Sequence, residues 1–119
     1  MRSLVPGTRP PFAGTQETCL IIETPEAFRY LDRFPARPSI VMARFRDIGT
    51  PLIERVQPDW VICPLVATGF DALDVLSRLG DTGRTLRVGV LSQALPNRRM
   101  VERELQSHAG GLEVSLLTL

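Results

Sequence analysis

The chain contains no lysine; all fourteen of its basic residues are arginine. That absence excludes a Schiff-base lysine and a Walker-type lysine on a phosphate. Histidine occurs once, at His108. No second imidazole stands at metal-ligand spacing from it, and no local signature of a Ser-His-Asp triad surrounds it. A structural place near a helix end, where the dipole favours a cation, is the reading His108 supports. No apolar run approaches the ~20 residues of a membrane span. The opening Met1-Arg2-Ser3-Leu4-Val5-Pro6-Gly7 lacks the apolar core of a signal peptide. A net charge of +1 supplies no global field to attract nucleic acid or an anionic membrane. A cytoplasmic protein that binds neither is expected. There is no glycine-rich phosphate loop, because Gly69, Gly80 and Gly83 read as separate turn or cap positions.

What remains is the balance of one globular domain. The 119 residues are long enough for a core that needs neither metal nor disulfide, and 44% hydrophobic against 23% charged is ordinary for such a domain. Residues 1–17, with Pro6, Pro10 and Pro11 and no periodicity, read as an irregular arm, and 18–119 as the domain.

From Cys19 the pattern alternates. Cys19-Leu20-Ile21-Ile22 is a short continuous apolar run, as in a strand covered on both faces. Thr24-Pro25-Glu26 reads as a helix start with Thr24 as cap, and Ala27, Leu31 and Phe34 as its buried face. Ser39 to Ala43 is a second strand. Gly49-Thr50-Pro51 opens a second helix with Leu52, Ile53 and Val56 inward, and Pro58 ends it. Trp60 to Cys63 is the third strand. Asp71 caps a third helix, with Asp74 three residues on, and Gly80 stops it. Leu86 to Leu91 is the fourth strand. Leu95 to Ala109 is the longest helix, with Val101, Leu105 and His108 on one side, and Leu112 to Leu119 is the fifth strand. This alternation predicts a three-layer, flavodoxin-like α/β fold. Its parallel five-stranded sheet takes the order 2-1-3-4-5, with right-handed crossovers.

In that topology Cys19 begins one strand and Cys63 lies near the far end of its neighbour. An offset of three or four residues at ~3.3 Å each exceeds the ~7 Å limit between bridged Cα atoms, so two free thiols are expected. A nucleophilic Cys63 would need a helix N-terminus, an arginine or a histidine to lower its pKa. A small buried hydrophobe in a central strand is the plainer reading.

The segment Pro58-Asp59-Trp60-Val61-Ile62-Cys63-Pro64-Leu65-Val66-Ala67-Thr68-Gly69-Phe70-Asp71-Ala72-Leu73-Asp74-Val75-Leu76 resembles the central part of bacterial response-regulator receiver domains. The likeness extends over residues 18–119. It implies a site made by acids after the first strand, an aspartate ending the third, a Ser/Thr ending the fourth and a lysine on the fifth. Here those positions hold Glu23 and Thr24, Pro64, Ser92 and, near Leu117, no lysine. A proline offers no carboxylate to phosphorylate, and one glutamate beside a threonine does not meet the oxygen-rich octahedral demand of Mg²⁺. The likeness is therefore to a degenerate, or pseudo-, receiver with no catalytic residue, no cofactor and no metal.

Receivers close with a fifth helix over the sheet, whereas this sequence reaches Leu119 inside or just after the fifth strand. An uncovered face bearing Val114, Leu116 and Leu117 is expected, closed either by the arm with Leu4, Val5 and Phe12 or by a second subunit. The expectation is a homodimer that also contacts a signalling protein of unidentified kind. It would act as a phosphorylation-independent interaction module in bacterial signalling or regulation. An alternative is a small-molecule or anion-binding domain using the carboxyl ends of the strands. Arg44, Arg46, Ser92 and Arg98 would form its site, and Arg98-Arg99 would oppose the dipole where they open the fourth helix.

Overall fold

A computed structural model of the protein describes residues 17–119. Its strands and helices are β1 (Thr18–Ile22), α1 (Ala27–Leu31), β2 (Ser39–Ala43), α2 (Thr50–Val56), β3 (Trp60–Pro64), β4 (Val66–Ala67), β5 (Phe70–Asp71), α3 (Ala72–Gly80), β6 (Arg87–Ser92), α4 (Arg98–Ser107) and β7 (Glu113–Thr118). The main sheet has the order β2-β1-β3-β6-β7, every pair parallel. With the short β4 and β5 set aside, that is the order 2-1-3-4-5 of a doubly wound flavodoxin-like sheet. The expected arm lies outside the described residues except for Glu17, which is buried and accepts the Ser39 N–H at 2.8 Å.

Because side chains alternate across a strand, the continuous apolar runs feed two cores. On one face Leu20, Ile22, Val61, Cys63, Val88 and Val90 pack under α2, α3 and α4; on the other Cys19, Ile21, Trp60 and Ile62 meet α1. Cys19 and Cys63 thus lie on opposite faces and are free thiols. This is a stronger bar to a disulfide than their offset along the strands.

The helix starts follow local chemistry. Asp71 Oδ1 accepts the Asp74 N–H at 3.0 Å and Asp74 Oδ2 accepts the Asp71 N–H at 2.9 Å, a complete capping box that offsets the orphan donors of α3. Gly49 precedes α2 with Pro51 in its first turn, and Gln57 ends it in the left-handed region at φ 50°. Thr24 does not cap α1. Its carbonyl accepts the Ala27 N–H at 3.0 Å and its hydroxyl donates to Glu26, so 24–26 is a turn and the helix proper begins at Ala27. The last long helix is shorter than its apolar pattern, since Pro96 keeps Leu95 outside and Arg98 is the first helical residue. His108 is exposed and not on the packed side; its Nδ1 lies 3.0 Å from the Glu104 carbonyl at the helix end.

Val114, Leu116 and Leu117 do not form one open face. Val114 and Leu116 point under α4, Leu117 points to the α1 side, and all three are buried. Alternation along β7 makes the separation unavoidable.

Candidate functional site: the carboxyl edge of the sheet

Parallel strands that all end at one edge leave their loops there, and β1, β2, β3 and β6 bring Glu23, Arg44, Pro64 and Ser92 to it. Glu23 follows β1 with φ 43°, a left-handed conformation that disfavours a side chain. Two contacts hold it there. Its N–H donates to the Ala43 carbonyl at 3.2 Å, and its Oε2 accepts the Phe45 N–H at 2.8 Å. Its carboxylate thereby ties the end of β1 to the loop after β2. Thr24 beside it is buried with its hydroxyl turned to Glu26. Pro64 ends β3 opposite Leu91. Ser92 donates its hydroxyl to the Gln93 carbonyl at 2.7 Å, while its own carbonyl accepts the Leu119 N–H at 3.0 Å.

The edge is furnished with aromatics that the sequence pattern does not single out. A 3-10 turn at Phe45–Asp47 places Phe45 against Phe70, stacked with ring centroids 4.6 Å apart and ring planes nearly parallel. The Arg78 guanidinium covers the other side of Phe45 at 4.5 Å and donates to the Arg46 and Ile48 carbonyls. Phe70 comes from the hairpin Val66–Ala67/Phe70–Asp71, whose turn uses Gly69 at φ 89°. Two-residue strands carry no readable period, so only the Thr68-Gly69 pair could have signalled the turn. An open groove of about 450 Å³ remains, lined by Glu23, Arg44, Phe45, Arg46, Thr68 and Phe70 among others.

The arginines divide between this groove and the far side of α4. Arg44 and Arg46 line the groove. Arg98 donates to the Leu116 carbonyl at 2.5 Å, and Arg99 lines a separate surface with Glu102, Arg103 and Gln106. The structure therefore does not assemble Arg44, Arg46, Ser92 and Arg98 into one site. Nor does a lysine-like group reach in from β7, where Leu117 lies buried across Gly89. Among the described residues, no three His, Cys, Asp or Glu side chains converge to hold a metal ion.

Cys63 is completely buried, and burial pushes its thiol up to about 12 from 9.0. Cys19 is likewise raised to about 12, by burial and then by Glu17. Both are neutral thiols at physiological pH, the form that does not attack. An acid with a raised folded-state pKa binds more protons folded than unfolded. Its contribution is therefore intact below pH 9 and is lost as pH climbs toward 12. Each thiol is expected to withdraw on the order of 1 kcal/mol of stability at pH 10, since unfolded cysteine is then mostly ionised. Urea titrations across pH 8 to 11 on the wild type and Cys63→Ala check this: the alanine variant should lose stability less steeply.

Neither a family model nor a curated protein matches the chain. Among solved structures it is similar to the signal receiver domain of a Vibrio parahaemolyticus protein assigned as a Luxo repressor. The TM-score is 0.53 and the identity 19%, over 87% of this chain and 78% of that one. At that identity the similarity establishes a receiver-like, flavodoxin-like fold. No helix among the described residues is long and apolar enough to cross a membrane.

Proposed function

We propose that this protein is a pseudo-receiver, a receiver scaffold that has lost phosphoryl transfer and works without catalysis. It acts by contact with a second copy of itself and with another protein in bacterial, cytoplasmic signalling. One observation carries the reading: β3 delivers Pro64 to the edge while a nearby carboxylate, Glu23, is held by the Phe45 N–H. The first offers no oxygen to phosphorylate, and the second is occupied in joining two loops. Mg²⁺, which prefers octahedral oxygen coordination, would meet there the Glu23 and Asp47 carboxylates, each already accepting a backbone N–H. The Phe45–Phe70 stack supports the same view, because it places two packed aromatic rings among the loops where the strands end.

The experiment is a thermal melt and amide spectrum in Mg²⁺ with beryllofluoride, a mimic of the phosphoryl group. No shift is expected at Glu23, Leu65 (the residue after Pro64) or Ser92, and saturable shifts there would refute the reading. Arg44 and Arg46 on the open groove favour a second reading, anion binding. Phosphorylated metabolites should then raise the melting temperature, whereas the contact-only reading requires no response.

A further inference from the structure

Large apolar side chains are exposed at only four places among the described residues: Met42 at 54%, Val66 at 75%, Leu73 at 36% and Met100 at 59%. Three of the four share one site. Val66 on the hairpin, Leu73 on α3 and Met100 on α4 line a groove of about 450 Å³ whose floor is Leu65 and Leu105 and whose charged lining residues are Asp71 and Glu104. Clustering of this kind marks an interaction surface, in contrast to apolar residues scattered singly such as Met42.

We infer that this α3–α4 groove is where a second copy of the chain docks, a face that rests on the self-pairing part of the function proposed above. The charge pattern selects the occupant. Helical spacing puts Met100 at the crest of α4, with Glu104 on its groove side. Arg99 and Arg103 flank it on the other side, where they line the neighbouring surface. Neither arginine has an ion-pair partner among the described residues. The same helix thus carries an apolar knob, a basic flank and one wall of an acidic-rimmed apolar slot. An isologous interface requires this kind of self-complementarity, since each patch meets its own copy. Met100 of each copy enters the slot of the other, and Arg99 and Arg103 approach the partner's acidic rim. Buried apolar anchors supply the affinity; the charges set register and salt dependence.

Sedimentation of the full chain at micromolar concentration tests this. The wild type should be a dimer whose affinity falls with added salt. Met100→Glu and, independently, Val66→Asp should each weaken it by roughly ten-fold or more, as expected on loss of a buried anchor. Both sites are exposed, so circular dichroism should remain that of the wild type. Met42→Glu should leave the dimer unchanged. Arg99→Glu/Arg103→Glu should weaken it and reverse the salt response; unchanged affinity in that variant overturns the charge match. A dimer that survives Met100→Glu and Val66→Asp overturns this face and leaves self-pairing standing. A monomeric wild type overturns both.

Discussion

Gly89→Val should cost about 3 kcal/mol or more of folding stability, toward the upper end for overpacking a closed core. Gly89 sits in the middle of β6, between Ile62 on β3 and Ser115 on β7. A Cβ built there would stand 2.5 Å from Leu117 Cδ1 and 3.2 Å from its Cγ, with Ile62 Cγ1 at 3.7 Å. Leu117 is itself buried, so its tip has little space to retreat into. For a domain of this size such a loss lowers the melting temperature by roughly 10 °C or more. The cause can be isolated with Leu117→Ala, which alone should cost about 2–5 kcal/mol by leaving a cavity. Combined with Gly89→Val, the two losses should be less than additive by about 1–2 kcal/mol, because the valine fills space that the leucine vacated. Simple additivity would mean the close approach is not what requires the glycine.

Glu102→Ala should cost about 1–3 kcal/mol, the penalty for leaving a part-buried donor without its acceptor. β7 is an edge strand, and every second residue turns its backbone outward, where nothing in the sheet can pair with it. Side chains one turn apart along α4 take that role. Arg98 donates to the Leu116 carbonyl, Glu102 accepts the Leu116 N–H at 2.7 Å, and Gln106 accepts the Val114 N–H at 3.0 Å while donating to the Leu112 carbonyl. Helix α4 therefore closes the sheet as a further strand would, using residues at i, i+4 and i+8. Glu102→Gln keeps an acceptor oxygen and should fall well short of the alanine loss. Glu102→Ala/Gln106→Ala should, in addition, form concentration-dependent aggregates through the bared edge. Urea midpoints and light scattering read the two effects separately.

The fold was legible because its signals are long and redundant. Four-residue apolar runs such as Cys19–Ile22, proline and glycine breaks, and the Asp71/Asp74 pair all agree with a doubly wound sheet. The hairpin at 66–71 and the turn at Phe45–Asp47 were not legible, since elements of two or three residues fix no period. Thr24 misleads because its side chain bonds to Glu26, giving a turn in place of a cap. The edge arginines mislead in another way: a cluster in sequence says nothing of direction, and Arg98 is used by the β7 backbone. Val114, Leu116 and Leu117 share apolar character in the sequence, although alternation on β7 divides them between two cores. Pro64 at the end of β3 was fully legible, as its place is read directly from the sequence. The role of Glu23 was not, because only the folded chain brings Phe45 to it.

Intact mass after incubation with acetyl phosphate and Mg²⁺ tests the central claim most directly. The account predicts that the mass stays that of the unmodified chain, with peptides spanning Glu23 and Pro64 unaltered. An acid-stable or acid-labile phosphoryl adduct on either peptide would contradict it.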